Sequence, residues 1–298
     1  MIVVGGPAST KLASNVAREL GVQCISLEYK VFPDGESYIR YPLESCDVKG
    51  EDVVIVQSLY PPQDKHFVEL LFAIDALRHL GAGRIAVVVP YLAYSRQDKV
   101  FLPGENVSVR TILRSIERMG ADYFLTIDIH KEESLNFLSI PSFNITAVPL
   151  LSNYIKGLRL EEILVLAPDR GALWRAEMAS RFLGAEYDYL EKYRDRSTGE
   201  VSVKPKSLSV KGRTVVIIDD IISTGGTVAL AAKVMKELGA HKVIAACTHP
   251  LLVGNALEKM YNSGVERVIG TNTIPSTVSV VDVAEIIVEK LKSILKPN

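Results

Sequence analysis

The chain has 298 residues, 48% hydrophobic and 23% charged, with a formal net charge of −1. That balance excludes a disordered chain, and it excludes a global basic field that could hold nucleic acid, so any anion site must be local. Three scattered cysteines, Cys24, Cys46 and Cys247, show no CxxC spacing; this excludes a disulfide framework and fits a reducing compartment.

The N-terminus reads as a strand, Met1–Val4, and not as a signal peptide, because it lacks a basic stretch and a long apolar run. Further candidate strands are Val53–Gln57, Arg84–Val89, Tyr123–Ile127, Ile163–Ala167, Arg213–Ile218, Lys242–Cys247 and Val265–Gly270. None, including Ile85–Val89, is long enough to span a bilayer. The reading is a cytoplasmic protein with neither membrane nor nucleic acid as partner. Apolar runs without alternation suit strands buried on both faces. Helical stretches lie between them, for example Asp64–Leu80, Ser108–Met119, Gly171–Leu183 and Val228–Leu238. Alternating strands and helices predict an α/β fold with mostly parallel sheets.

Four Leu-Gly-Ala or Met-Gly-Ala junctions, at Gly81, Gly120, Gly184 and Gly239, put glycine where a helix end turns left-handed. They also expose a repeat. LRHLGAGRIAVVVPY (77–91) resembles MKELGAHKVIAACTH (235–249), and RMGADYFLTIDIH (118–130) loosely resembles NSGVERVIGTNTI (262–274). We infer two similar domains, 1–145 and 146–298, joined near 141–150, where Pro141 and Pro149 flank a turn-rich segment; the alternative is a shared α/β rhythm without duplication.

The strongest motif is TVVIIDDIISTGGT, Thr214–Thr227. An apolar strand delivers Asp219 and Asp220, then Ser223-Thr224-Gly225-Gly226-Thr227 leads into a helix. In open α/β sheets, ligands bind beyond the carboxyl ends of strands. The glycines let backbone N–H groups approach a phosphate, and the helix N-terminus favours its charge. Two carboxylates repel a phosphate, so they fit the vicinal hydroxyls of a ribose whose 5-phosphate lies in the loop. The Walker A spacing is absent.

Four other segments share this strand-end placement or turn chemistry. FPDGESYIR (32–40) carries Phe32, Asp34, Gly35 and Glu36 on a tight turn. PYLAYSRQDKVFLPGENVS (90–108) carries Arg96, Gln97 and Asp98. TIDIH (126–130) ends on Asp128 and His130, and APDRGALWRA (167–176) carries Asp169. LEKYRDRSTGEV (190–201) packs Lys192, Arg194 and Arg196 around a Thr198-Gly199 turn.

The DD loop resembles the phosphoribosyl-diphosphate signature. Together with the other segments, the chain resembles the ribose-phosphate diphosphokinase family, in an archaeal-like form, along nearly its whole length. The resemblance implies two phosphoribosyltransferase-like domains and transfer of the β,γ-diphosphate of ATP to the 1-hydroxyl of ribose 5-phosphate, with Mg2+. It implies that Phe32, Asp34, Gly35 and Glu36 meet ATP across a subunit interface of a homodimer or higher homo-oligomer, and that Arg96, Gln97 and Asp98 also bind ATP. It assigns His130 and Asp169 to magnesium, with Asp169 the more direct ligand. It places ribose 5-phosphate on Asp219, Asp220 and Ser223–Thr227, with Arg194 reaching it as well. Lys192 and Arg194 match a catalytic pair on a flap.

The segment KEESLNFLSIPSFN (131–144) departs from bacterial and animal members, so hexameric assembly and control by ADP or phosphate do not carry over. Two rival readings share the sugar site: a phosphoribosyltransferase that consumes the diphosphate product, and a non-catalytic regulator. The first does not need the N-terminal half, and the second can dispense with Lys192 and Arg194. His66, His79, His241, His249 and Trp174 read as structural.

Overall fold

The computed structural model describes residues 1–43, 47–194, 201–205 and 209–295. Cys46, Arg196, Thr198 and Gly199 lie outside the described residues. The chain divides into two units, Met1–Thr146 with Val283–Asn298, and Ala147–Asp282.

In the first unit, the β-branched runs at Ile2–Gly5, Val53–Val56 and Ile85–Val89 form strands buried on both faces. The elements are β1 (Ile2–Gly5), α1 (Thr10–Leu20), β2 (Cys24–Ser26), β3 (Glu28–Val31), β4 (Ser37–Arg40), β5 (Val53–Val56), α2 (Gln63–His79), β6 (Ile85–Val89), α3 (Ser108–Arg118), β7 (Tyr123–Ile127) and β8 (Ser142–Ile145). Six strands make one parallel sheet in the order β2-β1-β5-β6-β7-β8. β3 and β4 form a separate antiparallel hairpin.

The second unit contains α4 (Val148–Gly157), β9 (Ile163–Ala167), α5 (Leu173–Leu183), β10 (Glu186–Arg194), β11 (Val201–Pro205), β12 (Thr214–Ile222), α6 (Gly226–Glu237), β13 (Lys242–Pro250), α7 (Ala256–Asn262), β14 (Arg267–Thr271) and β15 (Ser279–Val281). Its sheet runs β11-β10-β9-β12-β13-β14-β15, parallel throughout except for the β10–β11 pair. Setting β11 aside, the two sheets have one topology. β1, β5, β6 and β7 take the places of β9, β12, β13 and β14. The repeated segments fall on α2–β6 and α6–β13, and on α3–β7 and α7–β14. All four predicted glycines have positive φ, between 63° and 113°.

Three expectations shift. The segment at 141–150 is not a turn-rich linker: it holds β8 and the start of α4. Pro149 lies in the first turn of α4, where its missing N–H costs nothing. The strands through Asp219 and Cys247 continue to Ile222 and Pro250, with Ile221 still paired to His249. The charged residues do not end the ladder because the backbone pairing persists beneath them. Finally, α8 (Ala284–Ile294) packs on α1 in the first unit, burying Ile287, Val288 and Leu291, whereas the sequence alone assigns residues through 298 to the second domain.

Candidate active site

β12 carries Asp219 and Asp220 at the carboxyl edge of the second sheet, and the chain turns at Ser223–Gly225 into α6. Gly225 has φ +71°, and a Cβ there would stand 3.0 Å from the Ala256 carbonyl oxygen and 3.2 Å from Met260 Cγ. Only glycine fits this left-handed, buttressed position. No side chain caps the α6 N-terminus, so its first N–H groups lack intrahelical partners and favour an anion. Thr224, Gly226 and Thr227 are exposed, and Ser223 is partly so.

The two acids differ. Asp219 is partly exposed, and its Oδ1 accepts the Asp220 N–H at 2.9 Å. Burial first, and then the Asp220 carboxylate, push the Asp219 pKa well above the usual range, while Arg175 draws it back. Asp220 is buried; its Oδ1 accepts the Ile221 N–H, and its Oδ2 lies 3.4 Å from Nη2 of Arg175. On the adjacent strand β9, Asp169 follows at the same edge of the sheet. Its Oδ1 accepts the Gly171 and Ala172 N–H groups at 2.8 and 3.3 Å, capping a 3-10 turn.

Lys192 and Arg194 lie on β10, paired in backbone register with Val203 and Val201 of β11. Their side chains lie outside the described atoms. β10 and β11 thus pair antiparallel on either side of the segment that carries Thr198 and Gly199.

In the first unit, the PYLAYSRQDK loop leaves β6, and Asp128 and His130 leave the neighbouring β7, again at one carboxyl edge. Arg96 and His130 are exposed. Gln97 is tied into its loop, with Nε2 donating to Glu105 Oε2 at 3.2 Å. Glu105 also accepts the Phe101 and Leu102 N–H groups, which lower its pKa. The FPDGE turn closes the β3–β4 hairpin. The Phe32 N–H donates to the Glu36 carbonyl at 2.8 Å, and the Glu36 N–H to Asp34 Oδ1 at 3.2 Å. Gly35 supplies φ +95°. The Phe32 ring is partly exposed and packs edge-on against Tyr38 at 5.9 Å. This hairpin and β10–β11 occur at one topological point, after β2 in one unit and after β10's parallel half in the other.

Among the described residues, no three His, Cys, Asp or Glu side chains cluster as a metal site. Magnesium does not need such a cluster, since it binds through one or two carboxylates, waters and substrate phosphates. The partly exposed Asp169 fits that mode.

The sequence profile for the N-terminal domain of ribose phosphate pyrophosphokinase matches residues 1–120, and that for the phosphoribosyl transferase domain matches 134–283. The chain is 47% identical to the ribose-phosphate pyrophosphokinase of Sulfurisphaera tokodaii over 98% of its own length and 100% of that protein's. The chain belongs to the ribose-phosphate pyrophosphokinase family. Another pyrophosphokinase of the family, from Sulfolobus acidocaldarius, is 44% identical over 98% and 100% of the two chains. The crystal structure of phosphoribosylpyrophosphate synthetase from Mycobacterium smegmatis superposes with a TM-score of 0.88 at 30% identity, covering 99% of this chain and 98% of that one. The α/β fold with phosphoribosyltransferase-type domains and the enzyme class hold as expected.

Three residues of the chain are not singled out by sequence alone. Arg175 meets Asp220, Lys259 Nζ donates to the Thr224 carbonyl at 3.3 Å, and Glu105 organises the Gln97 loop. Arg175 sits inside a quoted motif, but a tertiary ion pair leaves no mark on sequence spacing. The structural reading of two histidines agrees with their contacts: His66 bonds the Tyr60 carbonyl and His249 bonds Thr273.

Proposed function

We propose that the chain transfers the β,γ-diphosphate of ATP to the 1-hydroxyl of ribose 5-phosphate, giving 5-phosphoribosyl 1-diphosphate and AMP. The observation that carries this reading is the β12–α6 turn. An uncapped helix N-terminus stands beyond two carboxylates, with Gly225 buttressed from behind. Its N–H groups and the Ser223, Thr224 and Thr227 hydroxyls bind the 5-phosphate, and Asp219 and Asp220 accept the vicinal ribose hydroxyls. Phe32 stacks on the adenine, with Asp34, Gly35 and Glu36 shaping the turn around it. Arg96, Gln97 and Asp98 bind the rest of ATP, for which guanidinium is suited.

Mg2+ would be held by Asp169 in the second unit and by His130 in the first, each residue taken within its own unit, and would neutralise phosphate charge when bound. The 1-hydroxyl oxygen forms a bond to the β-phosphorus and releases its proton to solvent, the bond from the β-phosphorus to the α,β-bridging oxygen breaks, and AMP leaves with that oxygen. Lys192 and Arg194 stabilise the charge on the bridging and equatorial oxygens, with Arg194 also reaching the sugar phosphate. Closure of the hairpin excludes water. The exposed aromatic residues of the β3–β4 hairpin, Tyr29, Phe32 and Tyr38, support a shared ATP site in a homodimer or larger homo-oligomer. No described helix is long and apolar enough to cross a membrane, which supports a cytoplasmic enzyme.

The test is a coupled assay for AMP from ATP, Mg2+ and ribose 5-phosphate, comparing wild type with Lys192→Ala. Removing one such charge stabiliser costs about 2.7–4 kcal/mol, or roughly 10²–10³ in kcat. Wild type that forms no AMP rejects the reading. An active wild type with full turnover in Lys192→Ala rejects the flap's role.

A further inference from the structure

The tandem carboxylates have a partner that the sugar site alone does not require. Arg175, in the first turn of α5, is 4% exposed, and Asp220 is 6% exposed. Nη2 of the arginine lies 3.4 Å from Oδ2 of the aspartate, and its Nε reaches no hydrogen-bond acceptor. The guanidinium carbon lies 4.5 Å from the ring centroid of Trp174. A charge taken out of water with a long contact and one unsatisfied N–H is poor as a device for stability. A well-packed apolar pair would serve as well or better. What the guanidinium does provide is a fixed cation at the base of two adjacent acids that otherwise repel each other.

We propose that Arg175 is a positioning residue. It clamps Asp220 and so sets the posture of the two carboxylates and of the turn behind them for ribose 5-phosphate, without touching the sugar. The inference rests on the proposed function and deepens it.

The experiment measures KM for ribose 5-phosphate and for ATP separately, with kcat, in wild type, Arg175→Met, Arg175→Lys, Asp220→Asn and the Arg175→Met/Asp220→Asn double variant. Arg175→Met is expected to raise KM for ribose 5-phosphate by roughly tenfold or more, with KM for ATP within about twofold of wild type, because misplaced binding groups act on the ligand they hold. Arg175→Lys, which keeps the charge without the planar fork, should recover part of the loss. The double variant should lose less than the sum of the Arg175→Met and Asp220→Asn losses.

An unchanged KM for ribose 5-phosphate overturns the clamp. So does an equal loss for both substrates without lysine rescue, and so do additive costs. If Arg175→Met does not fold, Arg175→Lys and the double variant carry the comparison, since the latter removes both charges together. If wild type forms no AMP, the proposed function falls. The clamp is then judged separately, by whether Arg175→Met and Asp220→Asn are non-additive in their thermal midpoints, and additivity overturns it. As the sole tryptophan, Trp174 gives a second readout. Its emission should respond to ribose 5-phosphate in wild type and not in Arg175→Met, and an identical response in both overturns the proposal.

Discussion

Asp219 shows how one side chain ties site chemistry to stability. Its pKa is raised in the folded protein, by burial and by its acidic neighbour. Below the ordinary carboxylate range, both folded and unfolded chains hold the proton. Between the ordinary and the raised value, only the folded chain keeps it, so this residue's contribution to stability declines as pH climbs through that window. Asp219→Asn cannot titrate and lacks the decline. The stability difference between wild type and Asp219→Asn, from denaturant midpoints across about pH 4 to 7, should therefore shift against wild type as pH rises. A difference that stays flat with pH contradicts the raised pKa. The acids and the STGGT turn were legible because their chemistry is local in the chain. Arg175 was not, because only folding brings α5 to the end of β12.

At the level of elements, the turn into α6 separates two neighbouring glycines. Gly225→Ala must hold an L residue at φ +71° with its Cβ 3.0 Å from a backbone oxygen, at a cost of about 1–3 kcal/mol. It should lower the denaturant midpoint and raise KM for ribose 5-phosphate. At Gly226 the nearest atom to an added Cβ is Thr224 Oγ1 at 3.8 Å. Gly226→Ala should keep the wild-type midpoint yet weaken ribose 5-phosphate, because the methyl group occupies the phosphate's approach. Equal midpoints for both variants would undo the buttressing argument. Strands such as β5, β6 and β9 were legible because burial on both faces leaves continuous apolar runs. β3 and β4 were not, since β3 is exposed and β4 at most half-buried, and they carry no such run. β8 and α4 were hidden by prolines that mark turns in most contexts but here flank a strand and sit inside a helix's first turn.

At the scale of the whole molecule, the duplication was legible from the repeated helix–glycine–strand segments, and the shared strand order bears it out. The placement of α8 was not legible. Its apolar stripe shows that it must be covered, but nothing in the stripe says by which unit. Leu291 is fully buried, and Leu291→Ala should cost about 2–5 kcal/mol. Hydrogen exchange followed by mass spectrometry should show faster exchange in α1, which α8 covers. Unchanged protection of α1 would assign α8 elsewhere.

Because α8 follows the whole second unit in sequence and covers α1 of the first, completion order during synthesis is reversed. The segment 147–282 is continuous and can finish while the ribosome still holds residues 283–298. The apolar stripe of α1, including Leu12, Ala13 and Val16, must wait uncovered until α8 leaves the exit tunnel. A nascent chain stalled before Val283 should therefore present a folded second half and a first half that recruits chaperones.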